Sequence, residues 1–377
     1  MTCTLVPPLP LDGVHTTTFN MADSTEPAAT APAPAAVAEA AFPLKPVTSP
    51  SSPAVEAPAA DHVEVDDFGS SYGGEGASHA STSLHSSVTN YEWKHGRRYH
   101  SYQSGAYNFP NDEREQDRLD MVHHVFYRAL EDRLFLAPIK LDGLRVLDVG
   151  TGTGLWAIHL GDDHPGAAEI VGNDLSPIQP DWCPPNVKFI VDDVELDWAE
   201  PEPYDFIHLR HMAGSIKDWP RLVKQVFENL KPGGWIEFQE TENVLYSQDG
   251  TLKPDHSMVK MMDGLMEACE KIGRTMNPAP MMRGWAEDAG FTNVQEQRFR
   301  IPVGAWPRDP RLKEIGTLMS VNMAEGVEAF TAALFCDVLG WSHDEVSVLN
   351  ADVRSSAKKG DAHAIFDFLI VTGQKPL

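Results

Sequence analysis

The chain has 377 residues, 42% of them hydrophobic, and a formal net charge of −25, so it can bury a large core but carries the wrong field for direct nucleic-acid binding, which needs clustered Lys and Arg. Its 4 cysteines, Cys3, Cys183, Cys269 and Cys336, match neither zinc-ligand spacing nor a dense disulfide framework, which predicts no metal site and a reducing compartment. No apolar run approaches the ~18 residues of a membrane span, and "MTCTLVPPLPLDG" lacks a charged region ahead of a long apolar one, so no membrane association is expected.

Residues 1–90 are rich in Ala, Pro, Ser and Thr, as in "EPAATAPAPAAVAEAAFP". Such a segment cannot bury enough surface to offset its chain entropy, and a disordered tail is predicted. The basic knot "KHGRR" over 94–98 reads as a solvated approach to the folded part, with a localisation or partner signal as the alternative. Tyr99, Tyr102, Tyr107 and Phe109 follow; their rings must be buried somewhere, and a lid over a neighbouring site is one use. In "NDEREQDRLDMVHHVFYRALEDRLFLAP", Leu119, Val122, Phe126, Leu130 and Leu134 recur at helical spacing, which predicts one amphipathic helix stopped before Pro138. Residues 91–140 are thus read as an N-terminal segment and helix, and 141–377 as the main domain.

From there strand and helix alternate. "LRVLDV", "AEIVGNDL", "VKFIVDDV", "YDFIHLRH" and "WIEFQE" read as strands, and "LWAIHLGDDHPG" and "PRLVKQVFENLKPGG" as helices with Pro-Gly and Gly stops. The pattern predicts an α/β fold: a doubly wound, mostly parallel sheet covered on both faces. Ligands in such sheets bind beyond the carboxyl ends of the strands. Further on, "MMRGWAEDAGFTNVQEQRFRIPVG" reads as helix then strand and "HAIFDFLIVTGQKPL" as a last strand. The stretch between them, about 303–360, reads as a helical insertion containing a Ser342/Glu345 capping box. An insertion beside the strand ends suits an acceptor pocket or lid, or a partner-docking surface.

"VGTGTGLWA" places Gly150, Gly152 and Gly154 directly behind a strand ending near Asp148. Glycines there allow a tight turn and let a ligand approach the backbone. "GTGLWA" satisfies the dinucleotide pattern, and Asp174 lies about 20 residues on, as that pattern asks. Against a dinucleotide, Asp148 beside the loop suits a cationic or amine-bearing ligand better than a pyrophosphate. The acidic pair Asp192 and Asp193 sits where a purine amine could be read, and no P-loop Lys-Ser/Thr is present.

In order, "VLDVGTGTG", "VGNDLSP", "FIVDDV", "YDFIHLRH" and "NLKPGGWIEF" resemble the class I S-adenosylmethionine-dependent methyltransferases, which have a seven-stranded Rossmann-like sheet. The resemblance implies that Asp148, Gly150, Gly152 and Gly154 lie against the cofactor's methionine part. It assigns Asp174 to the ribose hydroxyls, and Asp193 with the Val194 backbone to the adenine. "RRYHSYQSGAYNFPNDEREQDRLD", "DLSPIQP", "AGSIKDWPRL" and "GWAEDAGFTNV" look like the LaeA-like fungal methyltransferases. That group implies a role in secondary metabolism as regulator or tailoring enzyme, a velvet-family partner and a nuclear location, with the cytoplasm as alternative.

The methyl acceptor, small molecule or protein, should bind past the fourth strand. His211, just beyond that strand, is the candidate catalytic base, whereas His208 inside it reads as structural. Glu240 either orients an acceptor amine or caps a loop. The tryptophans read as packing, Trp219 wedging the fourth-strand loop against the next helix. Two other function classes stay open: a non-catalytic regulator retaining the fold, and an NAD-dependent oxidoreductase. Since residues 1–90 show no core-forming pattern, their deletion should leave the melting temperature nearly unchanged; a loss of more than a few degrees by calorimetry would refute the boundary.

Overall fold

The computed structural model describes residues 91–100, 108–198 and 202–377. The expected tail, with Cys3, and the lid tyrosines Tyr102 and Tyr107 lie outside the described residues. The described part opens with a hairpin absent from the sequence reading: strand β1 (Glu92–Lys94) pairs antiparallel with β2 (Arg97–Tyr99). His95 and Gly96 both take positive φ, the geometry of a tight two-residue turn. The basic knot is solvated only at its start, where Lys94, His95 and Gly96 are exposed; its two arginines are not. Arg97 is 8% exposed and donates to Asp112 at 2.8 Å, while Arg98 donates to Glu113 and to the Asn111 carbonyl, both at 2.7 Å. These arginines pin the hairpin to the start of the first helix.

That helix, α1 (Glu113–Ala129), is capped by Asp112, which accepts from the Glu115 amide. It stops well short of Pro138, because Glu131 and Asp132 both adopt left-handed φ and turn the chain. Leu134 then packs under the sheet with Trp156 and Val146, while Leu119, Val122 and Phe126 stay above the strand ends. The apolar spacing therefore continued across a turn that it could not reveal.

The strands β3 (Arg145–Val149), β4 (Glu169–Asp174), β5 (Val187–Val191), β6 (Tyr204–Arg210), β7 (Leu230–Tyr246), β8 (Thr292–Pro302) and β9 (Ile365–Gln374) form one sheet in the order β5-β4-β3-β6-β7-β9-β8. β3 to β7 run parallel, and β9 lies antiparallel between β7 and β8. With α2 (Leu155–Asp163) and α3 (Trp219–Asn229), this is the doubly wound seven-stranded arrangement. Successive residues serve opposite faces: Val146, Ile170 and Phe206 pack with Trp156 and Leu160, and Leu147, Val171 and Ile207 with Trp219 and Leu222. Because β4 and β6 flank β3, the chain leaves the centre in both directions there. The carboxyl end of β3 is the switch point where a crevice opens.

Helices complete the fold around that end. α4 (Ser257–Lys271) and α5 (Met282–Ala289) precede β8; α6 (Pro310–Ala333), a π-helical turn (Leu334–Val338) and α7 (His343–Lys359) separate β8 from β9. The Ser342/Glu345 capping box is formed. Trp219 begins α3, is buried, and stacks on Trp285 of α5 with ring centroids 5.7 Å apart. No described helix is long and apolar enough to cross a membrane.

Asp112 holds both the α1 cap and the Arg97 guanidinium. Asp112→Ala should cost about 2 kcal/mol or more, since a cap contributes ~1 and a hydrogen bond to a charged group ~1.5–3 kcal/mol, while Glu115, 4.0 Å from Arg97, remains as a weaker partner. Asp112→Asn, which keeps the cap, should cost less, and a loss below about 1 kcal/mol in chemical denaturation of the alanine variant would refute the pinning role.

Candidate functional site

The strand ends wall one cavity. Asp148, Gly150 and Gly152 from β3 and its loop, Asp174 from β4, Asp193 and Val194 after β5, and His211 after β6 all line it, with α1 as the roof. Gly154 stands apart from these as the N-cap of α2 with φ 80°; a Cβ there would meet the Phe189 ring at 2.5 Å.

Asp148 is buried, and both its oxygens are used inside the protein. One accepts from Thr151 Oγ1 at 2.6 Å; the other bonds His208 Nδ1 at 2.8 Å. His208 in turn stacks on Trp156, centroids 3.8 Å apart and ring planes nearly parallel, which is a packing role. Burial lowers the His208 pKa despite the Asp148 bond. The glycine loop is held open in a left-handed path: Gly150 and Gly152 have φ 67° and 59°. The Gly150 amide donates to Asn173 Oδ1 at 3.2 Å, and Gln179 donates to the Gly152 carbonyl at 2.6 Å. A Cβ on Gly152 would have only Leu119 within 4 Å, at 3.9 Å, so the backbone faces free volume.

Asp174 accepts from the amides of Gly152 at 2.9 Å and Ser176 at 3.0 Å. Burial, with a smaller contribution from the Asp148 charge, pushes its pKa up to about 6 against those hydrogen bonds. The Leu175 amide contributes as well, and with about four lone-pair sites on a carboxylate, capacity is left for a ligand. Asp193 accepts from the Glu195 amide at 2.9 Å, and the Val194 carbonyl accepts from Trp198 and Gln225, which fixes the loop after β5.

His211 has left-handed φ, 59°, and its ring lies 5.5 Å from that of Phe126. Although its side chain opens to solvent through the cavity, dense protein surrounds it. That burial, with the nearby charges of Arg118 and Arg210, lowers its pKa to about 3. Glu240 does not line the cavity. Its carboxylate accepts from the backbone of Met212, Ala213 and Thr241, and burial raises its pKa to about 8; of the two roles expected for it, the structure displays the loop cap.

A second, mainly apolar cavity adjoins the first, sharing Val122, Phe126, His211 and Ser215. Methionines from α4 and α6, Met261, Met262, Met319 and Met323, supply much of its wall, with Asn322 and Asn243 as polar points. Phe109 lines this cavity, and Pro110 and Asn111 the first. Sequence reasoning passed over α4, and also Arg210, whose side chain lines the first cavity. The signal for Arg210 was a lone cation ending an apolar buried strand.

Residues 121–296 match the family described as methyltransferase domain. The chain is 64% identical over 295 residues to the methyltransferase pytC of Aspergillus terreus, covering 78% of this chain and 91% of that protein. It is 37% identical over 290 residues to the secondary metabolism regulator LAE1 of Cochliobolus heterostrophus, covering 75% and 94%. It is 35% identical over 291 residues to the protein-methionine methyltransferase laeA of Emericella nidulans, covering 75% and 76%.

Glu240 yields a pH test. With a folded pKa near 8, it keeps a proton that the unfolded chain releases near pH 4, so its contribution to stability is lost as pH rises from about 4 to 8. Glu240→Gln should flatten that fall by about 1 kcal/mol or more. Chemical denaturation at pH 5 and pH 8 measures it; an unchanged difference would refute a protonated Glu240.

Proposed function

The chain belongs to the LaeA-like class I methyltransferases, and from that premise we propose that it transfers a methyl group from S-adenosylmethionine to an acceptor bound in the methionine-lined cavity. It acts in fungal secondary metabolism, as a regulator or as a tailoring enzyme. The observation that carries the reading is the convergence of the open Gly152 backbone, Asp174 and Asp193 on one cavity at the switch point. The residues fit the cofactor. Asp174 would accept from both ribose hydroxyls, Asp193 and Val194 would meet the adenine, and the glycine loop would lie against the methionine part. The NAD alternative fits less well, since a pyrophosphate would face Asp148, Asp174, Asp192 and Asp193.

When bound, S-adenosylmethionine supplies a methyl group on a sulfonium, so the protein has mainly to align the nucleophile and accommodate its proton. His211 stands where the two cavities meet and is neutral at pH 7, with a pKa near 3. It can orient an acceptor by hydrogen bonding but is a weak base. A nucleophile with a lone pair already available, such as a carboxylate, a neutral amine or a thioether, would need no base at this site. One relative carries the name protein-methionine methyltransferase, and methionine is such a thioether.

Calorimetry with S-adenosylhomocysteine, and NAD as control, tests the reading. Wild type should bind the first and not the second. Asp174→Ala should lose several kcal/mol of binding, given ~1.5–3 kcal/mol per hydrogen bond to a charged group, and affinity should fall as Asp174 gains its proton below about pH 6. Gly152→Ala should bind no S-adenosylhomocysteine while still folding, the left-handed alanine costing only ~1–2 kcal/mol. Unchanged affinity in either folded variant would refute the placement.

A further inference from the structure

Arg210 is the last residue of β6. Val149 of β3 pairs with Leu209, so Arg210 comes level with the start of the glycine loop, and its side chain lines the first cavity beside His123 and Phe126. The guanidinium carbon lies 5.5 Å from the Phe126 ring centroid, and one nitrogen is 2.9 Å from His123 Nδ1.

The other enclosed guanidinium groups near this end of the molecule have counter-ions. Arg97 is paired with Asp112, Arg118 with Glu115 and Arg274 with Glu195, each within 4.0 Å. Among the described residues no carboxylate approaches Arg210 to that distance. Asp148, on the neighbouring strand, attracts the Arg210 charge, but its two oxygens are taken up by Thr151 and His208 and make no direct pair with the guanidinium. His123 does not neutralise the charge either. An arginine can only donate, so His123 Nδ1 must be unprotonated, and His123 Nε2 then donates to His159 Nδ1 at 3.3 Å. Burial together with the Arg210 charge keeps His123 neutral, its pKa lowered to about 2. The histidine aims the guanidinium and leaves its charge intact. The half-buried guanidinium has no carboxylate in direct contact, and loss of water around it lowers its pKa to about 10 against the attraction of Asp148.

We propose that Arg210 is an anion seat and binds the α-carboxylate at the amino-acid end of the cofactor. This deepens the reading above and rests on it. The surrounding wall decides between anions. Asp148 and Asp174 share the cavity with Arg210, so a phosphate would meet more repulsion than attraction. An α-amino acid places one carboxylate beside one ammonium, matching one guanidinium among carboxylates. A planar fork also suits a carboxylate. The same chemistry could come from a carboxylate on the methyl acceptor, and the experiment separates the two sources.

Calorimetry on the full chain would compare S-adenosylhomocysteine with 5′-methylthioadenosine, which lacks the amino-acid end, in wild type, Arg210→Gln and Arg210→Lys. Arg210→Gln should weaken S-adenosylhomocysteine about 10- to 100-fold, as loss of a charged hydrogen-bond pair implies, and leave 5′-methylthioadenosine within about twofold. Arg210→Lys, which keeps the charge, should fall between and serves if the glutamine variant does not fold. S-adenosylhomocysteine binding unaltered in both variants overturns the proposal and transfers the anion seat to the acceptor. Equal weakening of both ligands overturns it as well, by showing a general loss of the cavity. A wild type that binds neither ligand overturns the cofactor reading itself, and this assignment with it.

Discussion

A carboxylate sealed at the end of the central strand has to be satisfied from inside the protein, and the way Asp148 achieves this organises the site. Thr151 Oγ1 reaches back to it and holds the glycine loop in its turn, while His208 reaches across from β6 and locks the two central strands together. Trp156 stacks on that histidine from the first turn of α2, so loop, strand pair and helix share one buried connection. Because the carboxylate is occupied by the protein, the ligand-facing surface of the loop is its backbone. That backbone is open only where the residue has no Cβ, which is why Gly152 sits at the cavity wall.

The same economy recurs below and beside the cavity. Glu237, fully buried, accepts from the Leu136 and Ala137 amides, anchoring the segment that leaves α1 under the sheet, and burial raises its pKa to about 7. Glu240 clamps the backbone after His211, fixing the left-handed residue where the two cavities meet. Buried acids hold turns by accepting several amides each, which satisfies donors that no ladder reaches. Arg210 is the exception: its histidine partner supplies an acceptor and no charge.

Much of the parallel sheet was legible because buried strands of a doubly wound fold are short apolar runs bounded by turn residues, and "RVLDV", "EIVGND" and "YDFIHLR" are of that kind. The cavity residues were legible for a related reason: strand ends converge in such a fold, so an acid or glycine just past a strand lies near every other such residue. What escaped depended on contacts between distant segments. Arg97 and Arg98 read as a solvated basic knot because Asp112 and Glu113, their partners, lie on the far side of a loop. The end of α1 was hidden because Leu134 keeps the helical spacing while serving another core. β7 was read as "WIEFQE" but extends from Leu230 to Tyr246, since Thr241, Glu242 and Tyr246 find partners on β9, a strand more than 100 residues away in sequence by the order of a typical domain length.

The division between floor and roof carries the chemistry further. The floor is made by strand ends and their loops, whose positions follow from the sheet and leave little freedom: a ligand there meets backbone, Asp174 and Asp193. The roof and the second cavity come from α1, α4 and α6, which lie outside the strand-helix alternation and pack through methionines. Methionine is unbranched and polarizable, so a wall of it adapts to apolar ligands of irregular shape without a fixed pattern of hydrogen bonds. Specificity for an acceptor then rests on the polar points that remain. Asn322 spends its carbonyl on Arg118 at 2.8 Å, and Arg118 is itself neutralised by Glu115 at 2.6 Å, so this cavity offers no free charge at that corner. On the proposed function, an acceptor seated there would be held mainly by shape and apolar contact, with its nucleophilic atom directed at His211 and the opening into the first cavity.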